Sequence, residues 1–237
     1  MANIEAAVRG TVQRVKASKV LMALIMLIVV VPAVVYSFWT TVALAGLLIV
    51  AVIQELQIAQ ARLGGSLKAD VLSCVLLAQM MCGIGCLLWI RSLPDGIAIL
   101  VVVAACVFVN DAAAQVTGKS FRKFGLATHQ LAPKISPGKT LEGFVGGLFG
   151  GWLAGWLTVT VMFWASVGLP LSIFLIVVAC PPLAVAGDLI ESWTKRSLGL
   201  KDFGNFLGKH GGVMDRIDAI TLAMIGTALI LYSGVGM

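Results

Sequence analysis

The chain has 237 residues, 59% of them hydrophobic and only 12% charged, where a globular domain carries about a quarter charged residues. That balance excludes a water-soluble fold and points to an all-α, multi-pass membrane protein. The net charge of +6 would suggest nucleic acid in a soluble protein. In a membrane protein it is read through the loops, because basic residues are retained on the cytoplasmic side, and no nucleic-acid partner is expected.

Residues 1–19 set Ile4, Val8, Val12 and Val15 at helical spacing among Arg9, Arg14, Lys16 and Lys19. A helix lying on the cytoplasmic leaflet and a disordered basic tail both fit. The basic start before an apolar run resembles a signal peptide, but the run is too long for an h-region and lacks a cleavage site, so it is expected to be retained. Val20 to Gln54 contains no charge. As one helix it would run roughly 50 Å at about 1.5 Å per residue, against a hydrocarbon core of about 30 Å. Two spans divided near Ser37–Thr41 are therefore expected, with Pro32 as a kink in the first.

A polar connection with Glu55, Arg62, Lys68 and Asp70 follows, then a third span over Val71–Ile90 and a fourth over Gly96–Val109 that stops short at Asn110 and Asp111. An acid at the end of a truncated span is a candidate for facing a cavity. Residues 112–142 read as a second polar segment. A fifth span is expected over Phe144–Val167, a sixth over Leu169–Ala186 and a seventh over Ile217–Tyr232. With the N-terminus inside, every Lys and Arg except Arg91 falls on the cytoplasmic side, the asymmetry expected of a correct topology. Cys74, Cys82, Cys86, Cys106 and Cys180 have no metal-ligand spacing and read as small core residues. Gly143, Gly147, Gly151 and Gly155 line one face of the fifth span, for close packing within the subunit or between two subunits.

The chemistry concentrates between Asp188 and Asp218, which hold five of the eleven acids among Lys195, Arg196, Lys201, Lys209, Arg216 and His210. Asp215 and Asp218 are three apart and share a helix face. With Asp188 and Asp111 they place acids at the membrane ends of three helices, where oxygen-only ligands favour Mg²⁺ over zinc. The alternative is that these acids pair with Lys195, Arg196 and Arg216. Gly208, Gly211 and Gly212 around His210 leave bare N–H groups for a phosphate just before a helix. His210 reads as a phosphate donor, an acid or a structural hydrogen bond. Ser136, Pro137, Gly138, Lys139 and Thr140, followed by Glu142, form a proline-glycine turn suited to a phosphate, although ordinary loops share that composition. His129 reads as structural.

Ser192, Lys195, Arg196, Lys201, Asp202, Gly204, Leu207, Gly208, His210, Gly211, Gly212, Asp215, Arg216 and Asp218 together resemble the signature of the phosphatidate cytidylyltransferase (CDP-diacylglycerol synthase) family. That signature is S-x-x-K-R, four residues, K-D-x-G, then a leucine, a proline or glycine, x-H-G-G and D-R-x-D. Asp188 in GDLIES resembles the family's upstream acid, and Ser136–Gly143 its S-P-x-K-T-x-E-G segment. The resemblance implies a membrane enzyme that condenses CTP with phosphatidic acid to CDP-diacylglycerol and pyrophosphate in phospholipid biosynthesis. It also implies a homodimer, an Mg²⁺ site with K⁺ often beside it, and a polar cavity open to the cytoplasm. Localisation is then the cell membrane, the inner one in a Gram-negative cell. Residues 1–109 would form an N-terminal transmembrane region and 110–237 the catalytic one.

On that resemblance, Asp188, Asp215, Asp218, Lys201 and His210 are the expected catalytic residues, and Asp188, Asp215 and Asp111 the metal ligands. Substrate binding falls to Ser136, Lys139, Thr140, Glu142, Ser192, Lys195, Arg196, Lys209, Gly211, Gly212 and Arg216. The lipid phosphate would attack the CTP α-phosphorus in line, so catalysis reduces to positioning and charge stabilisation. Gln115 and Lys119 stand where many members have tyrosine and arginine after the fourth-span acid, the mark of a divergent branch. A CTP-dependent transferase for another lipid phosphate and a non-catalytic lipid-phosphate-binding paralogue are the alternative readings.

Overall fold

The computed structural model describes Pro32 and residues 34–234, except 65, 127, 166, 168, 201–202 and 204–211; of Arg62, Asp215 and Arg216 it describes the backbone alone. The basic segment 1–19 and most of the first expected span lie outside the described residues. Contacts divide the chain into two units, 1–44 and 45–237. In the first, Ser37 is the non-helical residue before α1 (Phe38–Leu63), and its carbonyl accepts from the Thr40 and Thr41 hydroxyls at 2.7 and 3.1 Å. The break expected near Ser37–Thr41 is thus present.

The second unit carries α1 onward into α2 (Leu67–Ser92), α3 (Gly96–Lys123), β1 (Gln130–Ala132), β2 (Ser136–Thr140), α4 (Leu141–Trp164), α5 (Ile173–Ser197) and α6 (Met214–Tyr232). Helices α1 to α5 are each long and apolar enough to cross a membrane, and α6 adds a shorter apolar helix. The protein is an all-α, multi-pass membrane protein with one small hairpin.

Three expectations are corrected. Helix α3 does not stop at Val109 but runs 28 residues, roughly 42 Å at about 1.5 Å per residue. Its second half includes the good helix formers Ala112, Ala113, Ala114, Gln115, Lys119, Arg122 and Lys123, so the helix continues where hydropathy falls. Asp111 is therefore inside a helix and exposed, not at a helix end. Helix α5 likewise continues past Ala186 to Ser197, so Asp188 to Arg196 are helical. The segment Ser136–Thr140 is not a turn but a strand paired antiparallel with β1. The turn lies one step earlier, where Ile135 N–H bonds Ala132 O at 3.1 Å and Pro133 supplies the fixed φ of a β-turn.

Packing of α3 on α4 follows from the glycines. A Cβ at Gly143 would lie 2.8 Å from Ala114 O, at Gly147 3.0 Å from Asn110 O, and at Gly151 2.9 Å from Cys106 O. Each four-residue step down α4 meets a four-residue step up α3, so this face is used within the subunit. The opposite side of α4 exposes Phe149, Leu153 and Leu157. Two prolines, Pro181 and Pro182, lie inside α5 and deprive the carbonyls four residues back of their helical donors. One of these, Val178 O, accepts instead from Trp152 Nε1 on α4 at 3.0 Å. Cys106 and Cys180 are buried as expected, whereas Cys74 and Cys82 are exposed on an apolar helix, so their reading as core residues is corrected.

Candidate active site

Helix α5 brings the first set of polar groups. Asp188, Ser192 and Lys195 follow one another at helical spacing, and Ser192 Oγ donates to Asp188 Oδ1 at 3.3 Å. Glu191 is fully buried and its Oε1 receives Lys195 Nζ at 3.1 Å. Helix α6 crosses close by, since a Cβ at Gly187 would lie 2.7 Å from Asp218 O. Asp218 is buried, its Oδ1 accepts the Ala219 N–H at 2.7 Å, and it lies within electrostatic reach of Glu191, Asp188 and Lys195.

The hairpin supplies the second set. Lys139 of β2 forms an ion pair with Asp188 Oδ2. Two guanidinium groups hold the hairpin in place. Arg122 Nη2 donates to Gly138 O at 2.9 Å, and Arg196 donates through Nε to Ile135 O at 3.2 Å and through Nη1 to Leu200 O at 3.2 Å. The lysine therefore reaches Asp188 from a strand strapped to both α3 and α5.

The expected site residues are thus partly assembled. Asp188, Ser192, Lys195, Asp218 and Lys139 come together, joined by Glu191. Lys139 and Lys195 each rest on a carboxylate, while the described bonds of Arg196 go to carbonyls. Thr140 is buried and caps α4, accepting the Gly143 N–H at 3.0 Å, an arrangement that satisfies an orphan helix donor. Glu142 faces His129, which donates its N–H at 3.0 Å and places Nδ1 at 2.9 Å. Ser136 opens β2, half-buried. Asp111 accepts from Gln115 Nε2 at 3.0 Å, and Gln115 in turn from Lys119 Nζ at 3.2 Å, a ladder along α3. Among the described residues no three His, Cys, Asp or Glu form a metal-holding group. Lys201, Asp202, Lys209, His210 and Gly211, with the side chains of Asp215 and Arg216, lie outside what is described.

Two residues not singled out from the sequence stand at the centre of the arrangement. Phe203, the variable position of K-D-x-G, is fully buried against Val52, Leu56, Ala59 and Met214. Glu55 is 1% exposed and its two oxygens accept the N–H groups of Val213 and Met214 at 2.7 and 3.0 Å. A signal for Glu55 was available, since Val52, Glu55, Leu56 and Ala59 share one helix face.

A model of the cytidylyltransferase family matches residues 7–233. A phosphatidate cytidylyltransferase of Aquifex aeolicus is 38% identical over 128 residues, which are 54% of this chain and 45% of that protein. Another, of Staphylococcus haemolyticus, is 34% identical over 145 residues, 60% of this chain and 52% of its own. A third, of Mycobacterium leprae, is 40% identical over 128 residues, 53% and 38% of the two chains. The chain spans about half the length of the curated relatives it matches.

Proposed function

The chain belongs to the cytidylyltransferase family, and from that membership we propose that it is a phosphatidate cytidylyltransferase, forming CDP-diacylglycerol and pyrophosphate from CTP and phosphatidic acid. The observation that carries this reading is the meeting of Lys139 with Asp188, beside Glu191, Lys195 and Asp218. Two segments that resemble the family's motifs, far apart in sequence, supply opposite charges to one place. Charge of both signs is what transfer between two phosphate-bearing substrates requires.

Asp188, Glu191 and Asp218 are oxygen donors, the ligand type of a hard divalent cation, although the described residues by themselves form no metal-holding group. Asp188 and Asp215 would hold Mg²⁺, which supplies charge neutralisation for the triphosphate, and K⁺ belongs to the same reading. Asp111 is its outlying member, on α3 with Gln115 as its described partner. The chain's own part is to position. Lys139 and Lys195 exchange their carboxylate partners for phosphate oxygens, and Lys201, Lys209 and Arg216 add charge from the signature loop. Arg196 keeps the hairpin, and hence Lys139, on α5. The lipid phosphate is already an anion and needs no strong base, so His210 acts as a donor to the leaving group. The polar end of the helices opens to the cytoplasm, where CTP is found, and the molecule functions as a homodimer.

Pyrophosphate release by the purified protein in detergent with Mg²⁺, CTP and phosphatidic acid tests the reading. Release that needs both substrates and falls about a hundredfold or more in Asp215→Asn is the expected result. No release across phosphatidic acid and a panel of other lipid phosphates would overturn it. Release with a different lipid phosphate alone would transfer the chemistry to that acceptor.

A further inference from the structure

We propose that Glu55 is a positioning residue for the catalytic helix: its buried carboxylate, delivered from α1, caps α6 and fixes the backbone at the start of that helix, just before Asp215. Helix α6 has Val213 at its N-cap and no side-chain cap of its own, so its first amide donors need a partner from elsewhere. Glu55 supplies it from a residue 158 positions away in sequence. One oxygen takes the Val213 N–H at 2.7 Å and the other the Met214 N–H at 3.0 Å. The next residue is Asp215.

The surroundings make the contact specific. Val52, Leu56 and Ala59 flank Glu55 on α1 and pack with Met214 and Phe203, so the carboxylate is held in a wall of hydrocarbon. A buried carboxyl group needs hydrogen-bond donors there, and two N–H groups at the positive end of the helix face it. Gly212 completes the cradle, for a Cβ at this position would lie 2.7 Å from both Glu55 Cδ and Oε1. The bare backbone of the second signature glycine therefore admits the Glu55 carboxylate. The α6 amides of Val213 and Met214 are thereby taken by a carboxylate of the chain itself and are not offered to a substrate phosphate.

This inference rests on the proposed activity only for its consequence in turnover, and its structural half is measured without substrate. Hydrogen exchange on the full-length protein in detergent reads the peptide containing Val213 and Met214. In Glu55→Gln and Glu55→Ala, exchange there is expected to rise about tenfold or more while α3 and α4 keep their protection. In the pyrophosphate assay, kcat is expected to fall about tenfold in Glu55→Ala, with KM for CTP changed less than about threefold and Glu55→Asp partly restoring kcat. Gly212→Ala should lower kcat about tenfold in the native background and less than about threefold in Glu55→Ala, where the clash is gone. Unchanged exchange at Val213 and Met214 in both Glu55 variants overturns the cap. A uniform rise over all helices, or additive effects of Glu55→Ala and Gly212→Ala, makes Glu55 an ordinary fold-stabilising residue and overturns the positioning role. An intact protein with altered exchange but no turnover overturns the proposed activity and leaves the cap standing.

Discussion

Lys139 sits between two demands. Its ammonium balances Asp188, and in the proposed reaction the same charge would meet the phosphates of CTP. Removing it in Lys139→Ala takes away both, and kcat/KM for CTP is expected to fall about a hundredfold, as read from pyrophosphate release against CTP concentration. An unchanged kcat/KM would take Lys139 out of the substrate site. Residues of this kind were legible in the sequence because charge is rare in the chain and each one is informative. Glu55 was passed over for the opposite reason. Its work depends on a partner far along the chain, and its neighbours within the sequence suggested only a polar connection. Phe203 was hidden because it occupies a position that the motif leaves free, while its burial is set by α1 and α2.

At the scale of helices, hydropathy and helical propensity part company. The spans α3 and α5 were foreseen only as far as their apolar stretches reach, yet both helices continue into polar sequence, and the continuations carry Asp111, Asp188 and Lys195. The hairpin was hidden by composition, since Pro137 and Gly138 suggested a turn while pairing with β1 decided for a strand. The junction of α4 and α5 is another element-level feature. Val178 O, released by a proline, is satisfied by Trp152. Trp152→Phe keeps the ring but loses the donor, and is expected to lower stability by about 1 kcal/mol, seen as a lower midpoint of thermal unfolding in detergent. A midpoint equal to that of the native protein would show that Val178 O gains nothing from the indole.

On the scale of the whole molecule, the all-α, multi-pass architecture was legible in the sequence, because a bilayer imposes length and hydropathy rules on every helix, whereas the first of the seven expected spans falls mostly on residues outside the described ones. The structure places Arg122, Gly138, Lys139 and the end of α5 together at one end of the helices, whereas Pro94, Asp95, Met162 and Val167 line a common cleft at the α2–α3 turn. If the basic end faces the cytoplasm, as proposed, a cysteine introduced as Lys134→Cys, exposed on the hairpin turn, is expected to react with a membrane-impermeant maleimide only in inside-out vesicles. Asp95→Cys should react only in right-side-out ones. The reverse pattern would invert the topology and separate the site from CTP.

The fit of α4 to α3 also has a consequence for inheritance. The groups that meet Gly143, Gly147 and Gly151 include the carbonyl oxygens of Ala114, Asn110 and Cys106, and every amino acid carries that oxygen. No replacement on α3 can therefore make room for a larger residue on this face of α4. A lesion at one of the three glycines is therefore not relieved by trimming a side chain across the contact, and a lineage that acquires one must shift the two helices apart or revert.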